Sequence, residues 1–194
     1  LFWAPAYFQD QFGYKASSGM GMALIVTLYA IVTVISIFGG YLPKMFVEKK
    51  GMHPYNGRML AMLIFAFFPL FALFAQPMGQ YSAWWPAIII GLAGAGHQAW
   101  SANLFSTVGD MFPKSAIATI TGIGGMAGGV SSFLINKGAG VLFTYSENAG
   151  AAFAFLGFEG KEAGYMIVFC FCAVAYILAW TIMKALVPEY KKIG

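Results

Sequence analysis

The sequence predicts an all-α membrane protein. Of its 194 residues, 60% are hydrophobic and only 9% are charged, whereas about 25% of the residues in a soluble domain are charged. The apolar residues form runs that reach the roughly 20 residues a helix needs to cross a bilayer core. They lack the short alternating segments of a membrane β-barrel. We therefore expect a set of helices that span a lipid bilayer.

Apolar runs and the turn residues between them predict six spans. The first is short, and we expect its helix to start before Leu1. Pro69 is expected to interrupt the third span, and Pro113 stands where the fifth should begin. The predicted spans are residues 1–9, 19–42, 59–75, 84–108, 116–143 and 165–187. The predicted loops and tail are residues 10–18, 43–57, 76–82, 109–115, 144–164 and 188–194.

The basic residues predict the orientation of these helices, because cytoplasmic loops are enriched in Lys and Arg. One side would carry eight of them: Lys44, Lys49, Lys50, Arg58, Lys114, Lys184, Lys191 and Lys192. The other side would carry only Lys15 and Lys161. We therefore expect the C-terminal tail and the loop 43–57 to lie in the cytoplasm.

The stretch AGHQAWSAN at residues 95–103 is the main candidate site. It falls near the middle of the span 84–108, where polar groups are costly and normally face the bundle interior or a water-filled cavity. On a helical wheel at 100° per residue, its polar side chains cover about half the circumference. The expected ligand contacts are His97, Gln98, Trp100, Ser101 and Asn103.

These side chains suit a sugar-like or carboxylate ligand, because amides and imidazole can bind hydroxyl groups and an indole can cover a sugar ring. The alternative is hydrogen bonding between helices, which is the simpler interpretation for Ser101. His97 has two possible roles. It either carries a proton through a transport cycle, since its pKa is ordinarily near neutrality, or stays a neutral hydrogen-bonding group.

The fifth span carries a glycine-rich stretch at residues 122–129. The pairs Gly124/Gly128 and Gly125/Gly129 follow the small-xxx-small pattern that lets a neighbouring helix approach closely. The alternative is that this smooth surface lines a transport pathway. Further along the same span, Lys137 either meets an anionic substrate or extends its ammonium group to the membrane interface.

Several function classes are disfavoured. The net charge of +4 comes from basic residues spread over loops, so we expect no nucleic-acid partner. The second histidine, His53, lies in a predicted loop, so we expect no metal site, and no other cofactor is indicated. The seven acidic residues all fall outside the predicted spans, and no nucleophile–base pair stands out. We therefore expect a protein that is not an enzyme.

The arrangement resembles the C-terminal half of a major facilitator superfamily transporter. Such a half has six helices, and the site lies between the two halves at mid-depth. The segment GGYLPK at residues 39–44, followed by EKKG at 48–51, resembles the superfamily's cytoplasmic loop motif. Pro43 stands near the usual Asp, which argues against a charge-relay role. The resemblance implies a six-helix C-terminal bundle over residues 1–194 with a truncated first helix, and a missing N-terminal six-helix half.

A more specific resemblance rests on GHQAWSANLF at residues 96–105, DMFPK at 110–114 and GIGGMAGG at 122–129. Together they resemble the hexuronate transporters of the anion:cation symporter family, in the bacterial inner membrane. The resemblance implies proton-coupled symport of glucuronate or galacturonate by alternating access. It also adds Trp3, Tyr7 and Tyr29 as candidate substrate contacts, and assigns proton coupling mainly to the missing half. Another organic anion, such as an aldonate or an aromatic acid, and a non-transporting membrane subunit remain alternatives.

Overall fold

The computed structural model describes residues 1–191, and almost all of them are helical. Lys192, which the orientation argument counted, lies outside the described residues. The α-helices are α1 (Ala4–Phe12), α2 (Gly19–Lys50), α3 (Pro54–Ala66), α4 (Ala75–Gly79), α5 (Trp84–Met111), α6 (Lys114–Ala149) and α7 (Gly160–Leu186). Two 3-10 helices cover Phe68–Phe74 and Gly150–Ala152. A short antiparallel hairpin pairs β1 (Ala154–Phe155) with β2 (Phe158–Glu159).

Four helical segments in the described range are long and apolar enough to cross a membrane. They are Gly19–Lys50, Pro54–Gly79, Lys114–Ala152 and Gly160–Leu186. They include four of the five complete spans predicted from the sequence. Helix α5 corresponds to the remaining complete span. Its 28 residues give a length of about 42 Å, but the second half of this helix is too polar for it to count among the four apolar segments.

Helix α5 is the central helix of the fold, which explains how its polar residues are tolerated. It packs against α2, α3, α4, α6 and the 3-10 segment Phe68–Phe74. Two glycines allow this close packing. A Cβ atom on Gly96 would lie 2.5 Å from the Cβ of Phe68, and one on Gly91 would lie 3.1 Å from Ile31. Protein, rather than lipid, therefore covers much of α5.

The predicted loop at residues 43–57 is wrong, because α2 continues as a helix to Lys50. Pro43 lies inside this helix and is buried. The charged residues after it are compatible with a helix: Lys44 and Glu48 are 3.7 Å apart at i,i+4 spacing, and Lys49 and Lys50 sit in the last turn, where cations are favoured by the helix dipole.

The predicted interruption at Pro69 is confirmed. Helix α3 ends at Ala66, and Pro69 sits in the first turn of the 3-10 segment Phe68–Phe74. Pro113 also behaves as predicted, because it is the residue that precedes the first turn of α6. Proline lacks a backbone donor, so it is tolerated best where a helix begins.

The predicted loops at residues 10–18 and 144–164 are shorter than expected. Helix α1 extends to Phe12 and is closed by Gly13 in the left-handed conformation. Helix α6 extends to Ala149, and α7 already begins at Gly160. The polar side chains that predicted loops here lie on the ends of helices instead.

The two ends of the bundle are held together by different polar contacts. At one end, the Nε of Arg58 donates to Asp110 at 2.6 Å, and the hydroxyl of Tyr190 donates to the Asp110 carbonyl at 3.0 Å. At the other end, Lys161 lies 3.1 Å from both Asp10 and Glu147. The segments that the orientation argument placed on one side therefore meet at one end of the fold.

Candidate functional site

A cavity of about 490 Å³ lies between α1, the 3-10 segment, α5, α6 and α7. Three of the predicted site residues line it: Trp3, Tyr7 and His97. Helix α6 adds Ser131, Ser132 and Asn136, and α7 adds Tyr165, Cys172 and Tyr176. The cavity thus combines residues from helices that are distant in sequence, and its lining is apolar with a few polar groups, as is typical of ligand sites.

Aromatic side chains form one wall of the cavity. Tyr7 is 2% exposed, and its ring meets Tyr165 edge to face at 5.0 Å and Phe169 at 5.4 Å. The ring of Trp3 meets Phe143 at 5.2 Å. These edge-to-face contacts fix the rings against one another, so this wall is a rigid surface.

His97 also lines the cavity, at a contact between α5 and α7. Its Nδ1 is hydrogen-bonded to the hydroxyl of Tyr176. The Tyr176 ring also meets Trp100 edge to face at 5.6 Å. Tyr176 therefore fixes the orientation of the imidazole, while the exposed His97 ring keeps Nε2 for another partner.

Indole groups supply buried donors whose partners are not found in the described part of the protein. The Nε1 of Trp3 is buried and has no hydrogen-bond partner there, and the same is true of Trp100. A buried donor without a partner is costly. Trp3 lines the cavity, but protein covers its Nε1, so a bound oxygen atom reaches this donor only when neighbouring side chains move.

Asn103 does not line the cavity, contrary to the sequence-based expectation. It is 1% exposed and points toward α2, where its Nδ2 donates to the carbonyl of Gly39 at 2.7 Å. The close approach is possible because Gly39 faces Ala99, at a separation where a Cβ would lie 2.5 Å from the alanine Cβ. Asn103 therefore connects two helices, which is the alternative that the sequence left open.

The position of Pro43 explains this contact. Proline has no backbone N–H, so Pro43 cannot donate to the carbonyl four residues earlier, which is that of Gly39. Inside a membrane protein such a freed carbonyl needs another donor. The amide of Asn103 supplies this donor, so it replaces the hydrogen bond that Pro43 cannot make within α2.

The other predicted residues lie apart from the cavity. Gln98 is exposed and Ser101 is half-buried on α5, and Tyr29 is 43% exposed on α2. Neither these three nor Trp100, which is half-buried on α5, is among the residues that line the cavity. The polar side chains of α5 therefore lie in three different environments. His97 faces the cavity, Asn103 faces α2, and Gln98 lies on the open surface.

The sequence analysis missed the residues that α7 contributes. Tyr165, Phe169, Cys172 and Tyr176 are spaced by four, three and four residues, which places them on one helical face. That spacing was the available signal. Asn136 was also not chosen, although it lies beside Lys137, which is exposed and does not line the cavity.

Helix α6 leaves one side of the cavity open. Residues 122–135 are all exposed, and no atom of the described residues lies within 4 Å of a Cβ built on Gly124 or Gly128. The predicted close helix approach to this glycine face is therefore not made by the described part of the chain. Ser131 and Ser132 lie on the same exposed stretch, and polar groups at membrane depth normally face protein or water.

Fold and composition together define the chain as an all-α membrane protein, with a cavity among its helices. Among residues 1–191 no cluster of three or more His, Cys, Asp or Glu side chains is placed to hold a metal ion. No family model matches the sequence, and neither the curated proteins nor the solved structures include one that is similar to it.

Proposed function

We propose that this chain is one half of a proton-coupled transporter that carries a hexuronate, such as glucuronate or galacturonate, by alternating access. The supporting observation is the cavity of about 490 Å³, which joins an aromatic wall to polar groups on α5, α6 and α7. The half-buried ring of Trp3 suits the apolar face of a sugar ring. The imidazole of His97 and the amide of Asn136 suit its hydroxyl and carboxylate oxygens.

The open side of the cavity supports a second half as the partner of this chain. Lipid is a poor occupant for the exposed part of α6, because Ser131 and Ser132 would then contact hydrocarbon without water. A second helical unit packed against the glycine face would cover them and enclose the site. The proposal includes the bacterial inner membrane as the location and the basic end of the bundle as the cytoplasmic end.

Protons are the coupling ion in this proposal. None of the described residues that line the cavity is a carboxylic acid, so two groups can carry the proton. One is His97, whose imidazole is held by Tyr176, and the other is a carboxylate of the second half, as the family resemblance implies. Substrate and proton would then meet at the open face of α6.

The test is uptake of labelled glucuronate by the full-length protein. Loss of one ligand hydrogen bond costs about 1.5 kcal/mol, so we expect His97→Ala and Trp3→Phe each to raise the KM about 10-fold. Tyr29→Phe is the matched control, because it changes an aromatic residue outside the cavity, and it should transport normally. Unchanged affinity and rate in both cavity variants would contradict the assignment.

The aromatic wall favours a second candidate substrate, an aromatic acid, because five rings line one side of the cavity. Competition between labelled glucuronate and unlabelled aldonates or aromatic acids separates these anions. The remaining alternative, a non-transporting subunit, predicts no substrate flux in proteoliposomes. We also expect the 194-residue chain alone not to transport, because one half cannot enclose the site.

A further inference from the structure

A second, polar crevice of about 550 Å³ lies at the end of the bundle where α1, α6 and α7 meet. Asp10, Glu147 and Lys161 line this crevice. A layer of side chains that includes Tyr165 separates this crevice from the cavity described above. Tyr165 lines the cavity, and its hydroxyl donates to Asp10 at 2.7 Å. One hydrogen bond therefore joins the wall of the cavity to the wall of the crevice.

The layer between the two spaces is tightly packed. Tyr7 and Tyr165 are each 2% exposed, and the ring of Tyr165 lies 4.3 Å from that of Phe143. Beside them, a Cβ atom on Gly164 would lie 2.6 Å from the hydroxyl of Ser146. Helices α6 and α7 thus touch at this level, and α1 closes the remaining gap with Tyr7 and Asp10.

Lys161 holds the closing element in place. Its ammonium group is 3.1 Å from the same oxygen of Asp10 that accepts from Tyr165, and 3.1 Å from Glu147. The side chains of Lys161 and Asp10 are 26% and 23% exposed, so water from the crevice reaches both. These polar contacts join three helices, and the rings of Tyr7 and Tyr165 beneath them belong to the apolar core.

We propose that the Tyr165–Asp10 contact is a gate between the crevice and the membrane cavity, and that Lys161 is its latch. When α1 moves away from α7, the hydrogen bond and the ion pair break together, and the crevice becomes the entrance to the cavity. This inference rests on the proposed transport function, since the gate controls access to the substrate site. It adds the route by which that site is reached.

The test uses Cys172 as a reporter, because it is exposed and lines the cavity. In a variant of the full protein whose sole cysteine is Cys172, a membrane-impermeant maleimide is added to the crevice side of oriented vesicles. We expect Tyr165→Phe and Asp10→Asn to label at least about 5-fold faster, because Tyr165→Phe removes the closing hydrogen bond and Asp10→Asn removes the charge that pairs with Lys161. Lys161→Gln should act in the same direction.

The matched control is Glu162→Gln, which changes a neighbouring crevice residue outside the latch and should leave the labelling rate unchanged. Labelling from the opposite side measures general loosening and should also stay constant. The gate is overturned if neither Tyr165→Phe nor Asp10→Asn accelerates labelling, or if the control or the opposite side responds equally. If the gate variants accelerate labelling but the protein does not take up glucuronate, the substrate assignment is wrong and the gate still stands.

Discussion

Helices α5 and α6 are both long and both carry glycine and asparagine at membrane depth, but they occupy opposite environments. Gly39 and Gly96 mark places where α5 touches α2 and the 3-10 segment, whereas the glycines at 122–129 of α6 touch nothing in the described part of the chain. Asn103 of α5 is buried, and Asn136 of α6 lines a cavity. The same residue types therefore build the fold on one helix and leave an open surface on the other.

The largest expected effect concerns the glycines. Gly39→Val should destabilise the chain by about 3 kcal/mol, because the new Cβ would overlap the backbone and Cβ of Ala99, neither of which can rotate away. Gly128→Val, the matched change on α6, should cost less than about 0.5 kcal/mol, because it enters open space. Thermal unfolding of the purified chain in detergent measures both. Equal destabilisation would remove the contrast between the α2–α5 contact and the open face of α6.

A smaller effect is expected at the two asparagines. Asn103→Ala should cost about 1 kcal/mol in stability, because the freed Gly39 carbonyl loses its donor. Asn136→Ala should leave stability within about 0.5 kcal/mol, since its amide bonds only to Ser132 on its own helix.

A double-mutant cycle sharpens this prediction. In a Pro43→Ala background, the new backbone N–H can donate to Gly39, so Asn103→Ala should lose most of its cost. Unfolding free energies of the four proteins give the coupling directly. If Asn103→Ala lowers the unfolding free energy equally with Pro43 present and in the Pro43→Ala background, Asn103 does not compensate for the missing N–H of Pro43.

The smallest effect concerns the ion pairs at the ends of the two helices. Asp110→Asn should cost about 0.6 kcal/mol, because Arg58 is only 25% exposed and its Nε lies 2.6 Å from the carboxylate. Glu147→Gln should cost a few tenths of a kcal/mol, about the size typical of surface pairs, since its side chain is 59% exposed. Both should weaken in high salt, and chemical denaturation at two salt concentrations tests this order. A larger effect at Glu147 would reverse it.

The sequence predicts the helical segments well, because apolar runs and prolines act locally. The break at Pro69 and the start of α6 after Pro113 follow from the missing proline N–H alone. The helix over residues 43–50 could not be predicted in this way. Pro43 is tolerated inside α2 because Asn103 satisfies the freed carbonyl, and Asn103 is 60 residues away in the sequence.

The candidate site is predicted only in part, for a related reason. A helical wheel shows that α5 has polar side chains, but it does not show which neighbour each one meets. His97 meets Tyr176 of α7, and Asn103 meets α2. Trp3 and Tyr7, which the family resemblance suggested, do line the cavity. The contributions of α7 become visible only when the helices are packed together.

The length of α2 links this fold to the composition of the membrane around it. With 32 residues, the helix is about 48 Å long and exceeds a hydrocarbon core of about 30 Å. Lys44, Lys49 and Lys50 therefore lie at or beyond the depth of the lipid headgroups. Each basic group near an anionic bilayer surface contributes about 1 kcal/mol of attraction. Acidic phospholipids on that leaflet would attract this end of α2, and a zwitterionic bilayer would remove that attraction.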